Sequence, residues 1–364
     1  MIQKSIRPTG SHKGCPINRF RIYSYTKNPQ PMKISCSSLL SVFGAVMAIL
    51  RLESAEPVRL ETLKDRVRVT ISGKHFTDYV FGDGASRPFC HPILAADGTP
   101  LTRDFPMGKT DGEETDHPWH RSMWFAHSFM NGVDFWNEAG GDIGRSPKDK
   151  GRSEHIEILE ARSGETGRLA TRNRWMAPDG REICTDERVL EFGGDDQARW
   201  IDWRVTLLAP SDRLLMLGDN KDGTMAVRVA QWMTAPHRSG GVERGGQGQI
   251  VTSRDHFGLA AWGKRAEWCD YYAAHNGKTY GIALFDHPDN LRHPTWWMVR
   301  PYGLFAANPF GQHDFENLKD EPHRGDHSIP AGGKLTLQYR FLFHTGNPKE
   351  ADVAKRYKEY RSKR

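Results

Sequence analysis

Residues 335–344 read LTLQYRFLFH. Leu335, Leu337, Tyr339, Phe341 and Phe343 occupy alternate positions, and successive side chains of an extended chain point to opposite faces. One face of this segment is therefore apolar, which is the pattern of a half-buried antiparallel strand. The same period recurs at residues 66–72 (RVRVTIS), 200–208 (WIDWRVTLL), 224–232 (TMAVRVAQW) and 279–285 (TYGIALF). Turn signals separate these runs at 178–180 (PDG), 193–195 (GGD), 219–223 and 330–333. Only the tail, about 348–364, reads as helix. Without a regular exchange of strands and helices, a doubly wound or barrel α/β fold is excluded. The expectation is an all-β protein, one large antiparallel β-sandwich with a short C-terminal helix.

A chain of 364 residues is long enough to bury a large core. Its formal charge is +6, but residues 1–52 hold eight basic side chains and no acidic one, leaving 43 basic against 45 acidic in the rest. The expected folded part thus lacks the positive surface on which nucleic-acid binding depends. From Met32 the chain runs through Lys33 into an apolar stretch at 39–50 and then into small and polar residues. That is the layout of a secretory signal, and a run of 12 residues is too short to span a bilayer stably. The sequence therefore divides into a basic leader and signal over 1–55, with the signal proper at about 32–55, and one domain over 56–364. Export to the periplasm or the extracellular space follows, with no stable membrane span once the signal is removed. Cys90, Cys184 and Cys269 are an odd, widely spaced set within that domain, with neither a disulfide framework nor a zinc spacing, and read as buried free thiols.

Long polar, glycine-bearing stretches at 137–153, 236–249 and 311–325 interrupt the strands. Loops of this length in a compact domain are commonly functional. The second lacks the ending of a phosphate-binding loop and reads as a mobile flap.

Two segments carry the chemistry. Residues 116–138 read DHPWHRSMWFAHSFMNGVDFWNE, and 286–311 read DHPDNLRHPTWWMVRPYGLFAANPFG. Both open on Asp-His-Pro, and both carry later histidine, arginine and aromatic residues. With a strand starting near Arg121, Arg121 and His127 share a face and Trp124 takes the other. His120 stands at the strand mouth, where an imidazole beside an arginine suits proton shuttling. In the second segment Arg300 offers a permanently charged fork for a carboxylate or a polarised oxygen. Tyr302, two residues on, exchanges a proton if Arg300 lowers its pKa. The candidate acid–base set is His120, Arg121, His127, His293, Arg300 and Tyr302. Substrate contacts are expected from Asp116, His117, Trp124, Glu138, Asp286, His287, Trp297 and Asn308. No cofactor is implied. A divalent metal held by three of His117, His120, His127, His287 and His293 is an alternative, although no pair has the i, i+4 spacing of a helical metal motif.

These stretches, together with NGVDFW at 131–136, WGKRAEWCDYY at 262–272 and RPYGLFAANPFG at 300–311, resemble an exported bacterial family labelled methane oxygenase PmoA. The similarity runs from about residue 66 to residue 345. In that family the first motif more often reads DHPHHRS and the second ends in Trp-His-Val-Arg, so Trp119 and Met298 stand here where histidines are usual. That departure puts the weight on His120, His127, His293 and Arg300. A membrane-bundle methane oxygenase requires spanning helices, which this sequence does not supply after its leader. The resemblance implies instead a large sandwich like that of galactose mutarotase, in which a concave sheet face lined by His, Arg, Trp and acidic residues binds a sugar. The expected partner is a carbohydrate or another small molecule. The expected function is a carbohydrate-active enzyme, with hydrolysis, elimination from a uronate and epimerisation all open. A non-catalytic carbohydrate-binding protein and a His-ligated metal protein are the alternatives.

Overall fold

The structure, a computed structural model, describes residues 21, 23, 24, 57–82, 84, 86–138 and 150–362. The expected leader and signal lie outside the described residues except for Arg21, Tyr23 and Ser24, as do residues 139–149 of the first long loop. Two eight-stranded sheets, paired antiparallel throughout, face each other. The first runs, in spatial order, Val58–Thr62, Arg66–Ile71, Lys74–Val80, Phe89–His91, Met123–His127, Gly223–Arg228, Leu304–Asn308, Trp296–Val299. The second runs Gln249–Thr252, Trp268–His275, Lys278–Asp286, Lys334–Thr345, Ala198–Leu208, Glu182–Gly194, Gly167–Met176, Arg152–Arg162. The protein is an all-β sandwich.

The strand Lys334–Thr345 that sets the pattern lies mid-sheet, with Tyr339 opposite Trp203 and Phe341 opposite both Ile201 and Leu284. Its odd-numbered apolar side chains meet Val67, Val69, Phe76, Phe125 and Trp297 of the first sheet in one continuous core. Phe76 touches Phe343 edge to face across the sandwich, at 5.7 Å. On the outer side of the second sheet the helix Val353–Arg361 buries Val353, Tyr357 and Tyr360 against Ala283, Phe285 and Leu342. Among the described residues no helix is long and apolar enough to cross a membrane.

The structure departs from simple alternation where the site lies. The strands Met123–His127, Gly223–Arg228, Leu304–Asn308 and Trp296–Val299 are buried on both faces. Their outer face carries a second apolar layer of Trp124, Ala226, Trp296, Met298 and Ala306, roofed by Trp119, Trp136 and Phe315. The strand expected over 224–232 stops at Arg228, because Val229 and Ala230 turn away to pair with Gly303 and Leu101. The expected flap contains a hairpin, His237–Ser239 with Val242–Arg244, whose turn places Gly240 and Gly241 at φ +57° and +80°, the left-handed region that glycine enters without strain. The third long loop opens with the short helix Gln312–Phe315 and is tied down by Asp219, which accepts from the backbone amides of His313 and Gly325.

Trp297 belongs to the core between the sheets: it is fully buried and its indole donates to the carbonyl of Ala266 at 3.0 Å. It is therefore not the substrate contact that the sequence suggested, since the strand period turns Trp296 and Met298 outward and Trp297 inward. Trp297→Ala is expected to destabilise the fold by about 3–5 kcal/mol, the usual cost of emptying a large aromatic site. Urea unfolding measures this, and an unchanged midpoint would contradict the placement.

Candidate active site

A cleft of about 1020 Å³ opens on the outer face of the first sheet. Asp116, His117, Trp119, His120, Trp136, Lys221, Arg300 and Tyr302 are among its lining residues. Another groove, of about 620 Å³, has Phe257, Trp268 and Tyr272 in its wall, and no histidine or arginine is among its described lining residues.

The cleft is organised by Asp116. One of its oxygens accepts from Arg103 Nη1 at 2.6 Å and from Arg228 Nη2 at 2.7 Å. The other accepts a short bond from His117 Nδ1. Both guanidinium groups are buried, with side chains only 1% exposed. Arg103 also donates to the carbonyls of Glu114, Asp116 and His117, so this stretch of loop is wrapped around it. Burial pushes the Asp116 carboxyl up, but His117 and the two arginines outweigh it and hold the group below the usual carboxylate range. Burial, reinforced by Arg228, lowers Arg103 to about 10.

Around this anchor the rings form a column. Tyr302 lies parallel to His117 at 5.3 Å, His117 parallel to His120 at 4.8 Å, and His120 rests on Trp124 at 5.3 Å. Trp119 and Trp136 meet this column edge-on. Arg228 passes beneath Tyr302 at 4.7 Å and donates Nη1 to His120 Nδ1 at 3.1 Å. An arginine has only donors, so His120 Nδ1 accepts and the ring's proton sits on Nε2. Burial and then Arg228 push the His120 pKa well below its ordinary value, which keeps the ring neutral. His117 has the reverse arrangement: its Nδ1–H donates to Asp116, which leaves Nε2 as a lone-pair acceptor whenever the ring is neutral. Two stacked imidazoles thus present an acceptor and a donor.

Of the residues expected from the sequence, Asp116, His117, His120, Arg300 and Tyr302 come together in the cleft. Arg300 lies over Trp262 at 5.0 Å, and among the described residues no carboxylate pairs with it. Tyr302 departs from expectation in its acidity. Burial drives the phenol up to about 12, against the pull of Arg228 and Arg300.

The remaining candidates lie elsewhere. Arg121 and His127 do not share a face, because Ser122 adopts a left-handed φ of +52° and resets the alternation before the strand begins. Arg121 instead makes a forked pair with Glu138, at 2.9–3.1 Å, over the ring of Phe89. His127 faces the other side of the sheet, where Nε2 donates to the Gly218 carbonyl at 2.8 Å. Trp124 is fully buried beneath His120. Asn308 donates to the carbonyls of Asn220 and Lys221, and so shapes the loop that brings Lys221 and Asp222 to the cleft. Asp286 accepts from His293 Nδ1, Asn290 and the Thr295 amide, and His287 packs against Tyr360, all at the crossing between the sheets. Of the five histidines weighed as metal ligands, His117 and His120 are neighbours in the cleft, and His127, His287 and His293 lie elsewhere. Among the described residues no group of three or more His, Cys, Asp or Glu side chains is placed to hold a metal ion.

The sequence reading missed Arg103, Arg228, Trp119, Trp136 and Lys221 as parts of the site. Arg228 did leave a signal, a lone charge inside the apolar run TMAVRVA.

The chain belongs to DUF6807, a family of unknown function whose model matches residues 66–358. The methane-oxygenase label gains no support from this match. Among curated proteins no sequence matches. Similar solved structures include an α-galactosidase from Lactobacillus brevis, with a TM-score of 0.37, 8% identity, and coverage of 81% of this chain and 40% of that one. Another is a GH36 α-galactosidase from Geobacillus stearothermophilus, with a TM-score of 0.37, 12% identity, and coverage of 79% and 41%. A galactose mutarotase related enzyme from Lactobacillus acidophilus matches with a TM-score of 0.31, 7% identity, and coverage of 79% and 97%. The chain thus spans about 40% of the length of the α-galactosidases it resembles.

Buried neutral histidines make stability depend on pH. Burial lowers His127 from 6.5 to about 4, only partly offset by its bond to Gly218. Above pH 6.5 neither state carries the proton. Between 6.5 and about 4 the unfolded chain binds it and the native chain does not, so stability falls as pH falls, by about 3 kcal/mol for this residue. Denaturant unfolding at pH 7 and pH 4.5 is expected to show a smaller loss in His127→Gln than in the wild type. Equal losses would rule out His127 as the source.

Proposed function

We propose that this DUF6807 protein is an exported carbohydrate-active enzyme that holds a sugar in the Asp116–Tyr302 cleft and acts on it by proton transfer. The observation that carries this reading is the opposite proton placement on the two stacked imidazoles: His117 Nε2 accepts and His120 Nε2 donates. A base and a fixed neutral donor side by side are the parts that general acid–base chemistry needs. Asp116 keeps His117 in the reactive tautomer, and Arg228 keeps His120 neutral. Trp119, Trp136 and Tyr302 give the cleft aromatic surface among polar groups, a lining suited to the apolar faces and hydroxyls of a pyranose.

Hydrolysis by a carboxylate pair fits poorly. It needs one carboxyl able to carry a proton, whereas Asp116 is held ionised by His117 and two arginines. Asp222 is the other described carboxylate of the lining. Elimination and epimerisation, which move a proton on carbon, make better use of an imidazole base.

One observation favours a second, non-catalytic reading. Trp119 and Met298, which replace the histidines usual in the resembling family, both line this cleft. Turnover assays of the purified protein on neutral, uronic and sulfated oligosaccharides separate the readings. The enzyme reading predicts product formation that drops roughly 100- to 10,000-fold in His117→Ala at unchanged thermal stability. Saturable binding with no product from any sugar, unaltered in His117→Ala, would establish the binding reading instead.

A further inference from the structure

We infer that the substrate is a uronate, received through its carboxylate by Arg300, and that the cleft performs β-elimination; this rests on the carbohydrate reading above. Arg103 and Arg228 are buried and committed to Asp116, so neither is offered to a ligand. Lys221 has Asp222 at 3.6 Å. Arg300 remains: it lines the cleft, lies over Trp262 at 5.0 Å, and has no carboxylate partner among the described residues. A guanidinium fork in a cleft wall matches a planar carboxylate through two parallel hydrogen bonds.

Its backbone is fixed as well. Arg300 N donates to the Leu304 carbonyl at 2.8 Å and Gly303 N to the Arg300 carbonyl at 3.0 Å, which closes a tight turn, with Gly303 at φ +97°. Tyr271 secures the same turn by donating its hydroxyl to the Pro301 carbonyl at 2.8 Å. Arg300 and Tyr302 therefore leave one rigid turn together, with His117 stacked on Tyr302.

In a uronate the hydrogen on C5 is acidified by the adjacent carboxylate, and pairing that carboxylate with a cation stabilises the charge that develops when the hydrogen leaves. His117 Nε2 takes the C5 proton. The electron pair of the C5–H bond forms the C4–C5 double bond, and the C4–O4 bond breaks with its pair on O4. Tyr302, protonated at neutral pH, gives its proton to O4. The phenolate left above Arg228 recovers a proton from the adjacent His117, restoring both residues. The net change is a proton moved from C5 to O4, with no water consumed and no co-reactant.

The test follows product ultraviolet absorbance and mass for the purified protein on galacturonate, glucuronate and mannuronate oligomers, their methyl esters, and neutral and sulfated galactans. The expected result is an absorbing unsaturated product from at least one free uronate. Its kcat/KM should fall 100-fold or more in Arg300→Gln, with unchanged thermal unfolding. The methyl ester should be a poorer substrate, indifferent to Arg300→Gln. Turnover only of neutral or sulfated sugars, lost in His117→Ala, would overturn the uronate assignment and leave the enzyme reading standing. Uronate products carrying an added water would overturn elimination. No product from any sugar would overturn both readings.

Discussion

The site depends on one cluster of charges: the half-buried carboxylate of Asp116, placed between the buried guanidinium groups of Arg103 and Arg228, with Glu114 4.0 Å from Arg228. Two cations removed from water at close quarters are costly, and a shared anion with good hydrogen-bond geometry is what makes the arrangement tolerable. The lowered pKa of Arg103 reflects first its burial and then the charge of Arg228. Because Arg103 also takes three backbone carbonyls of the Glu114–His117 stretch, the charge cluster fixes the chain path as well as the charge. His117 and His120 inherit their positions and their proton placement from it.

The fold was legible because its signal is periodic. In the second sheet Glu182–Gly194 and Ala198–Leu208 alternate between the core and a more exposed surface, and the apolar period of LTLQYRFLFH marks the same core face. The first sheet is harder to read. Its strands from Met123–His127 to Trp296–Val299 are buried on both faces, so Trp296 and Trp297 look alike in sequence although one lies in the outer layer and the other fills the core. Two aromatic neighbours carry no mark of which face is which; register decides it, and register is a property of the paired strands.

The site is legible in part for the same physical reason. Asp116, His117, His120, Arg300 and Tyr302 were accessible because each lies in a motif dense in polar and aromatic residues. Arg121 and His127 were assigned to one face on the assumption of unbroken extension, and the left-handed turn at Ser122 is invisible to a count of alternating positions. Arg103 lies 13 residues before Asp116, in a stretch with no motif of its own. Arg228 sits in a strand where a charge is anomalous, and a buried, unexplained charge is a pointer to a partner that sequence alone does not identify.

The residues that miss the cleft still bear on its shape. Asn308 holds the carbonyls of Asn220 and Lys221, while Asp219 gathers the amides of His313 and Gly325. His127 closes the same region through Gly218. Gly223, which leads into the Arg228 strand, has no room for a side chain, since a Cβ would come within 2.3 Å of His127 Nδ1. The loop carrying Lys221 and Asp222 is thus fixed at several points. Asp286 and His293 similarly secure the crossing that leads into Trp296–Val299 and the Arg300 turn. The histidine-rich motifs are therefore divided by role: one half of each supplies or supports the cleft chemistry, and the other braces the chain that delivers it. A polar cluster in sequence can mark a well-braced loop as readily as a reactive group, and only the direction of each side chain separates the two.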